Sequence, residues 1–239
     1  MSPGWQLSEL LWRCGGGRAP VPPGPPLGRR ADGTDDGLPA QGRARAVLAS
    51  LGRGAVQVDG TTCGSAALVF TAAVGDEALE QSLRSAGAAA AAQRRTKRAT
   101  TRRALLGLPW PGCLGTPPWA AARAARCGPV RYTHRLVVDS RPQSGPLLDA
   151  AVSWARAGVP VPLYTGGDSR SGLSAAVPRH VVVLTSPDGA ALEVYEPSSG
   201  RLHPVTEAGL RSGGRPQRAL GGWSHITWVL LPDAGRSPS

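Results

Sequence analysis

The sequence predicts an α+β fold, with helices in its first half and an antiparallel sheet in its second. Up to about residue 126 the apolar residues recur at helical spacing or in runs that are apolar all round; from Val130 onward short β-branched runs appear, bounded by Gly, Pro and Asp. Helices followed by strands joined through short turns make an α+β arrangement rather than alternating βαβ units. At 239 residues the chain suffices for one full-sized core.

Leu7, Leu10 and Leu11, flanked by Trp5 and Trp12, make 4–13 a short amphipathic helix, too short to stand alone. From Cys14 to about Gln41 the chain carries Pro20, Pro22, Pro23, Pro25, Pro26 and many glycines, so 1–42 reads as that helix and a flexible linker. The globular domain spans 43–233, and 234–239 is a disordered tail. Within the domain Ala44–Leu51 is a helix stopped by Gly52–Gly54, and Ala55–Val58 is an extended lead into a turn. Ser65–Val74, apolar on every side, predicts a buried central helix, which either kinks at Gly75 or breaks there before the amphipathic Asp76–Arg84. Residues 86–103 form a basic low-complexity insert of alanines and arginines, expected to be solvated or disordered. Thr116 as N-cap and Pro117 at the first helical position open a helix running to about Arg126. Strands are expected at Val130–Val138, Pro160–Thr165, Arg179–Thr185, Ala191–Glu196 and Ile226–Leu231, with a helix at Gly145–Ala157.

Charge and cysteine content narrow the function. Lys+Arg 27 against Asp+Glu 16 gives +11, but six of the cations lie between Gln93 and Arg103, and without them the excess is +5. The cluster is a weak argument for a nucleic-acid or other anionic partner. Cys14, Cys63, Cys113 and Cys127 form no C-x-x-C pair, so neither a thioredoxin-like motif nor a zinc site is indicated, and no metal or cofactor is expected. No stretch approaches the ~20 apolar residues of a membrane span, and the N-terminus lacks a basic and then apolar leader. A cytoplasmic protein is the expectation, in reducing surroundings that suit a working thiol.

Cys63 is the candidate nucleophile. It follows the polar turn Asp59-Gly-Thr-Thr62 and heads the central helix, whose unpaired N–H groups and partial positive charge stabilise a thiolate. A base and an orienting acid are then required. His180 and Glu196 flank the loop Pro187-Asp188-Gly189, and pairing about residue 188 sets His180 opposite Glu196, Val182 opposite Val194 and Leu184 opposite Leu192. Opposed residues share a face with Cβ atoms about 4.5–5.5 Å apart, so the carboxylate can hold one imidazole nitrogen and leave the other for a thiol. His134 lies between arginines and reads as solvated, His203 falls on a turn, and His225 suits a pocket mouth; none has a comparable acid. Gln57, six residues before Cys63, supplies an amide that with the Cys63 N–H makes a two-donor oxyanion hole. Tyr195 and Trp119 are candidates for the cleft wall, although such aromatics more often fill cores.

The order Gln57, Cys63, His180, Glu196 resembles that of papain-like cysteine peptidases. Gln57-x-Asp59-x-Thr61-x-Cys63-Gly64-x-Ala66-Ala67, Pro178-Arg-His180-Val-Val-Val and Val194-Tyr-Glu196-Pro197-x-x-Gly200 are similar to the bacteriocin-processing peptidases that remove double-glycine leaders, and to their stand-alone bacterial relatives. The resemblance implies a papain-like fold, a peptide or protein substrate, and a Cys63 acyl-enzyme that water resolves as a peptidase or an amine as an acyltransferase. The sequence departs from the pattern at Glu196, where that family has Asp before the Pro and papain has Asn. This substitution leaves a catalytically silent binding module of the same fold as the alternative.

Overall fold

A computed structural model describes residues 7–11, 21–25, 38–138, 142–167, 180–211 and 213–233. Helices α1 (Leu7–Leu11), α2 (Arg43–Leu51), α3 (Cys63–Val74), α4 (Glu77–Ser82), α5 (Ala86–Thr101) and α6 (Pro118–Ala124) come first. There follow β1 (Arg126–Cys127), β2 (Val130–Leu136), α7 (Gly145–Arg156), β3 (Val161–Gly166), β4 (His180–Thr185), β5 (Leu192–Glu196), β6 (Arg201–Val205), α8 (Glu207–Arg211) and β7 (His225–Asp233). The strands form one antiparallel sheet of order β1-β2-β7-β3-β4-β5-β6. The chain is thus α+β, and each expected strand lies within a residue or two of an observed one. Most of the linker and the tail fall outside the described residues.

Every residue of β3 and β4 is buried, and so is every residue of β7 except Asp233, because both faces of the sheet centre are covered. Helices α3 and α7 pack on these strands. All of α3 except Ala72 is buried, as an all-round apolar helix requires. At Gly75 the helix ends rather than kinks. Asp76 then caps α4 by accepting the Leu79 N–H at 2.9 Å. At α6 the N-cap is Pro117 with Pro118 in the first turn, one residue later than the Thr116 cap expected.

The largest correction concerns 86–103, which is neither solvated throughout nor disordered. Ala86–Thr101 is the helix α5, capped by Ser85, and it packs on α3. Ala89, Ala92, Gln93 and Thr100 are buried, whereas Arg94, Arg95 and Arg98 are exposed. Small alanines let the backbone come close: a Cβ on Gly54 would stand 2.8 Å from that of Ala89. The long cationic side chains take the outer face, which is why composition alone concealed the buried stripe. β1, β6 and α8 carry no strong sequence signal and were not expected.

At Gly75 the end of α3 meets the β1–β2 turn at backbone distance. A Cβ there would lie 2.1 Å from Gly128 N and 2.7 Å from Cys127 Cα. Main chain on both sides cannot yield as a flexible side chain does, so Gly75→Ala is expected to destabilise the fold by roughly 3 kcal/mol. Urea unfolding checks this, with an unchanged midpoint as the contrary result.

Candidate active site

The turn before α3 is cross-braced by its own polar side chains. Asp59 Oδ1 accepts from Thr61 N at 2.8 Å and from Thr61 Oγ1 at 2.6 Å, while Thr62 Oγ1 accepts from Asp59 N and donates to Asp59 O, each at 2.9 Å. Thr62 is the N-cap of α3, yet its hydroxyl is turned back to Asp59 and caps no helix N–H. The first-turn N–H groups of α3, that of Cys63 among them, therefore lack the side-chain acceptor an N-cap normally supplies and are suited to an anionic group.

Helix α5 holds the same turn from behind. Gln93 Oε1 accepts from Val58 N at 3.0 Å, and Nε2 donates to Gly54 O at 3.2 Å and Val56 O at 3.0 Å. Lys97 reaches forward to donate to Thr61 Oγ1. Two residues of the supposedly solvated insert thus set the approach to Cys63. Tyr195 fixes its other flank as a core residue rather than a cleft wall: its ring packs on Phe70 of α3 at 4.3 Å, and its hydroxyl donates to Ala55 O. Trp119 is half-buried, donates to Ala104 O at 2.7 Å, and does not line the cleft around Cys63.

Cys63, His180 and Glu196 come together. Cys63 and His180 line one cleft with Gly60, Thr61, Thr116 and Tyr164. His180 Nε2 donates to Glu196 Oε1 at 2.7 Å in a buried pair. That bond occupies Nε2 and leaves Nδ1 as the ring nitrogen available to Cys63, which lines the same cleft. Burial opposes the imidazolium, but the neighbouring Cys63 and Glu196 outweigh it and raise the His180 pKa to about 9. For Glu196 burial also opposes charge. The His180 bond and those from Ser198 and Ser199 overcome it and leave the carboxyl well below its usual range.

The pairing register differs from the expected one. Val183 faces Tyr195, Leu184 faces Val194 and Thr185 faces Glu193, a shift of two residues. The connection is longer than three residues: Ser186 Oγ donates to Ala191 O, and Asp188 Oδ1 accepts from the N–H groups of both Ala190 and Ala191. Because side chains alternate with period two, a two-residue shift leaves His180 and Glu196 on one face. They meet diagonally, Glu196 lying level with Val182 instead of directly opposite His180. A diagonal neighbour is farther away than an opposed one, and the additional methylene of Glu supplies that reach. The same carboxylate accepts from Ser198 N at 2.8 Å, Ser198 Oγ at 2.7 Å and Ser199 N at 2.8 Å, which closes the turn after β5.

Gln57 is placed at the start of the braced turn, where its Nε2 donates to Asp59 O at 3.0 Å; it is not among the cleft-lining residues. Two groups that sequence reasoning missed stand closer. Thr116 is buried in the cleft wall with its Oγ1 unpartnered, and a Cβ on Gly64 would lie 3.1 Å from that oxygen, which sets the hydroxyl against the first turn of α3. Gly221, at φ +68°, covers the imidazole so closely that a Cβ would stand 2.3 Å from His180 Cδ2. Its place after Gln217-Arg-Ala-Leu220 held no clue, since nothing local ties that turn to a strand 40 residues earlier.

The remaining candidates separate cleanly. His134 is half-buried rather than solvated, and burial, with Arg135 and Arg123 nearby, lowers its pKa. His203 lies within β6, with Ser199 Oγ 3.4 Å from its Nε2. His225 is buried at the start of β7 and does not line the cleft. Burial pushes the Cys127 thiol up to about 12, which makes it inert, whereas Cys113 is exposed at the cleft rim. Cys14 lies outside the described residues. Among the described residues no cluster of three or more potential metal ligands occurs, and no helix is long and apolar enough to cross a membrane. No protein-family model and no curated protein matches the chain.

Proposed function

We propose that this chain is a thiol-dependent acyl hydrolase of papain-like type, acting as a cysteine peptidase on a peptide or protein substrate. The observation that carries the reading is His180, buried, bonded to Glu196 at 2.7 Å and lining one cleft with the thiol at the head of α3. A helix headed by the nucleophile, packed on an antiparallel sheet that bears base and acid on adjacent strands, supports the papain-like assignment.

In this reading His180 Nδ1 takes the Cys63 proton, and the thiolate adds to a carbonyl carbon. The oxyanion is met by the Cys63 N–H and by a side-chain donor. Thr116 Oγ1, whose hydrogen is uncommitted, suits that role better than Gln57, which spends one amide hydrogen on Asp59 O. Collapse of the adduct breaks the C–N bond, and the departing amine takes the proton from His180. Water, deprotonated by His180, then cleaves the thioester and restores the thiol; an amine in place of water gives acyl transfer. Glu196 stays ionised throughout and holds the ring.

Intact-mass detection of an acyl adduct on Cys63 after exposure to a peptide library tests the reading, with Cys63→Ala as control. Thr116→Val is expected to lower turnover about 100-fold, and Gln57→Ala by less. Absence of any Cys63-dependent adduct or cleavage across several pH values refutes hydrolysis and leaves the silent binding module.

A further inference from the structure

We propose that the Leu105–Leu108 turn and the arginines around it dock this chain on an anionic lipid bilayer surface. The proposal does not depend on Cys63 being a nucleophile.

Charge is the first ground. Residues 81–138 contain eleven of the basic residues and no acidic one, so this segment carries the entire formal excess of +11 and the rest of the chain is balanced. It folds into α5, the following turn, α6 and β2. Arg94, Arg95, Arg98, Arg102, Arg103 and Arg123 are exposed.

The second ground is a turn whose conformation and sequence disagree. Leu105 N donates to Leu108 O at 3.0 Å and Leu108 N to Leu105 O at 2.8 Å, closing a two-residue loop. Both central residues have positive φ, Leu106 at 48° and Gly107 at 91°. Such turns favour Asn or Gly at the first of these positions. Leu106 is the only non-glycine residue with positive φ among the described residues. Its side chain is 101% exposed, with Leu108 at 64% and Leu105 at 43%. A bulky apolar residue held in a disfavoured conformation, in full contact with water, is unfavourable on both counts for folding and points to a role outside it.

The base of this tip is rigid. Trp110 N donates to Thr101 O at 2.8 Å, Trp119 Nε1 donates to Ala104 O at 2.7 Å, and the two indoles meet edge to face at 5.3 Å. A braced aliphatic turn, exposed beside guanidinium groups, fits the interface of a bilayer, with leucines entering the acyl boundary and arginines meeting lipid phosphates. Single-stranded nucleic acid would engage the cations but stacks its bases on aromatic side chains, whereas the exposed tip carries leucines. From Leu108 the chain runs on to Cys113 and Leu114 at the rim of the Cys63 cleft, so docking here brings that cleft beside the membrane.

Co-sedimentation of the full chain with phosphatidylcholine vesicles, with and without phosphatidylglycerol, tests the proposal. Binding is expected only with the anionic lipid and is expected to weaken with salt. Leu106→Asn suits the left-handed position and keeps the turn, yet removes the apolar tip; it should weaken binding about tenfold. Arg102→Ala and Arg103→Ala should each weaken it about fivefold. Circular dichroism establishes that the variants are folded. Failure to sediment with anionic vesicles overturns the proposal. So does binding that is unaffected by Leu106→Asn and fully competed by duplex DNA, which would assign the surface to nucleic acid.

Discussion

His180→Ala is expected to slow alkylation of Cys63 by iodoacetamide at pH 6 by at least about 100-fold, the scale on which a positioned base acts. At that pH a thiol without a base is almost wholly protonated. In the native site the proton has a place to go, because His180 shares the cleft with Cys63 and is backed by Glu196. Peptide mass mapping separates the Cys63 adduct from one on Cys113, which is exposed and serves as the internal reference, while Cys127 is buried and should stay unmodified. Equal rates for wild type and variant would remove the thiol–imidazole pair from the mechanism, and the peptidase reading with it.

Glu196→Ala is expected to cost about 3–5 kcal/mol of stability, the range for removing one partner of a buried charge pair. The substitution strands His180 and also releases the Ser198 and Ser199 N–H groups that the carboxylate holds. Its dependence on pH has a definite sign. The lowered carboxyl of Glu196 contributes stability above its ordinary value of 4.5 and loses it as pH falls through its depressed one; the raised His180 contributes fully below 6.5 and loses this as pH climbs to about 9. Glu196→Gln should therefore be most costly between about pH 4.5 and 6.5, and should lower the His180 midpoint seen by NMR from about 9. Glu196→Asp tests the diagonal geometry itself. If the added methylene spans the two-residue offset, Asp will fail to hold the imidazole and the midpoint will fall as it does with Gln. A midpoint unmoved by Asp would mean that the offset is taken up elsewhere.

Much of this site is legible because its signals are local. A polar turn ahead of an apolar run places Cys63 at a helix start, and strand alternation places His180 and Glu196 on one face. The paired face survived an error in register because the shift was two residues, a full period. The basic stretch was harder. Alanine is too small to mark an apolar stripe, so the buried face of Ala86–Thr101 carries no large apolar residue, and its buried anchor Gln93 is of a type usually found outside.

By itself, then, the sequence determined the α+β order of elements, the thiol of Cys63 at the head of α3, and the shared face of His180 and Glu196. Each follows from the conformational preference of a few adjacent residues. Only the tertiary structure decided the diagonal pairing that makes Glu the right length, the hydroxyl of Thr116 beside the first turn, Gly221 over the imidazole, and Gln93 bracing the approach to Cys63. Those contacts join residues tens of positions apart, and they are selected by how whole elements exclude water and satisfy buried polar groups, which no short window of sequence contains.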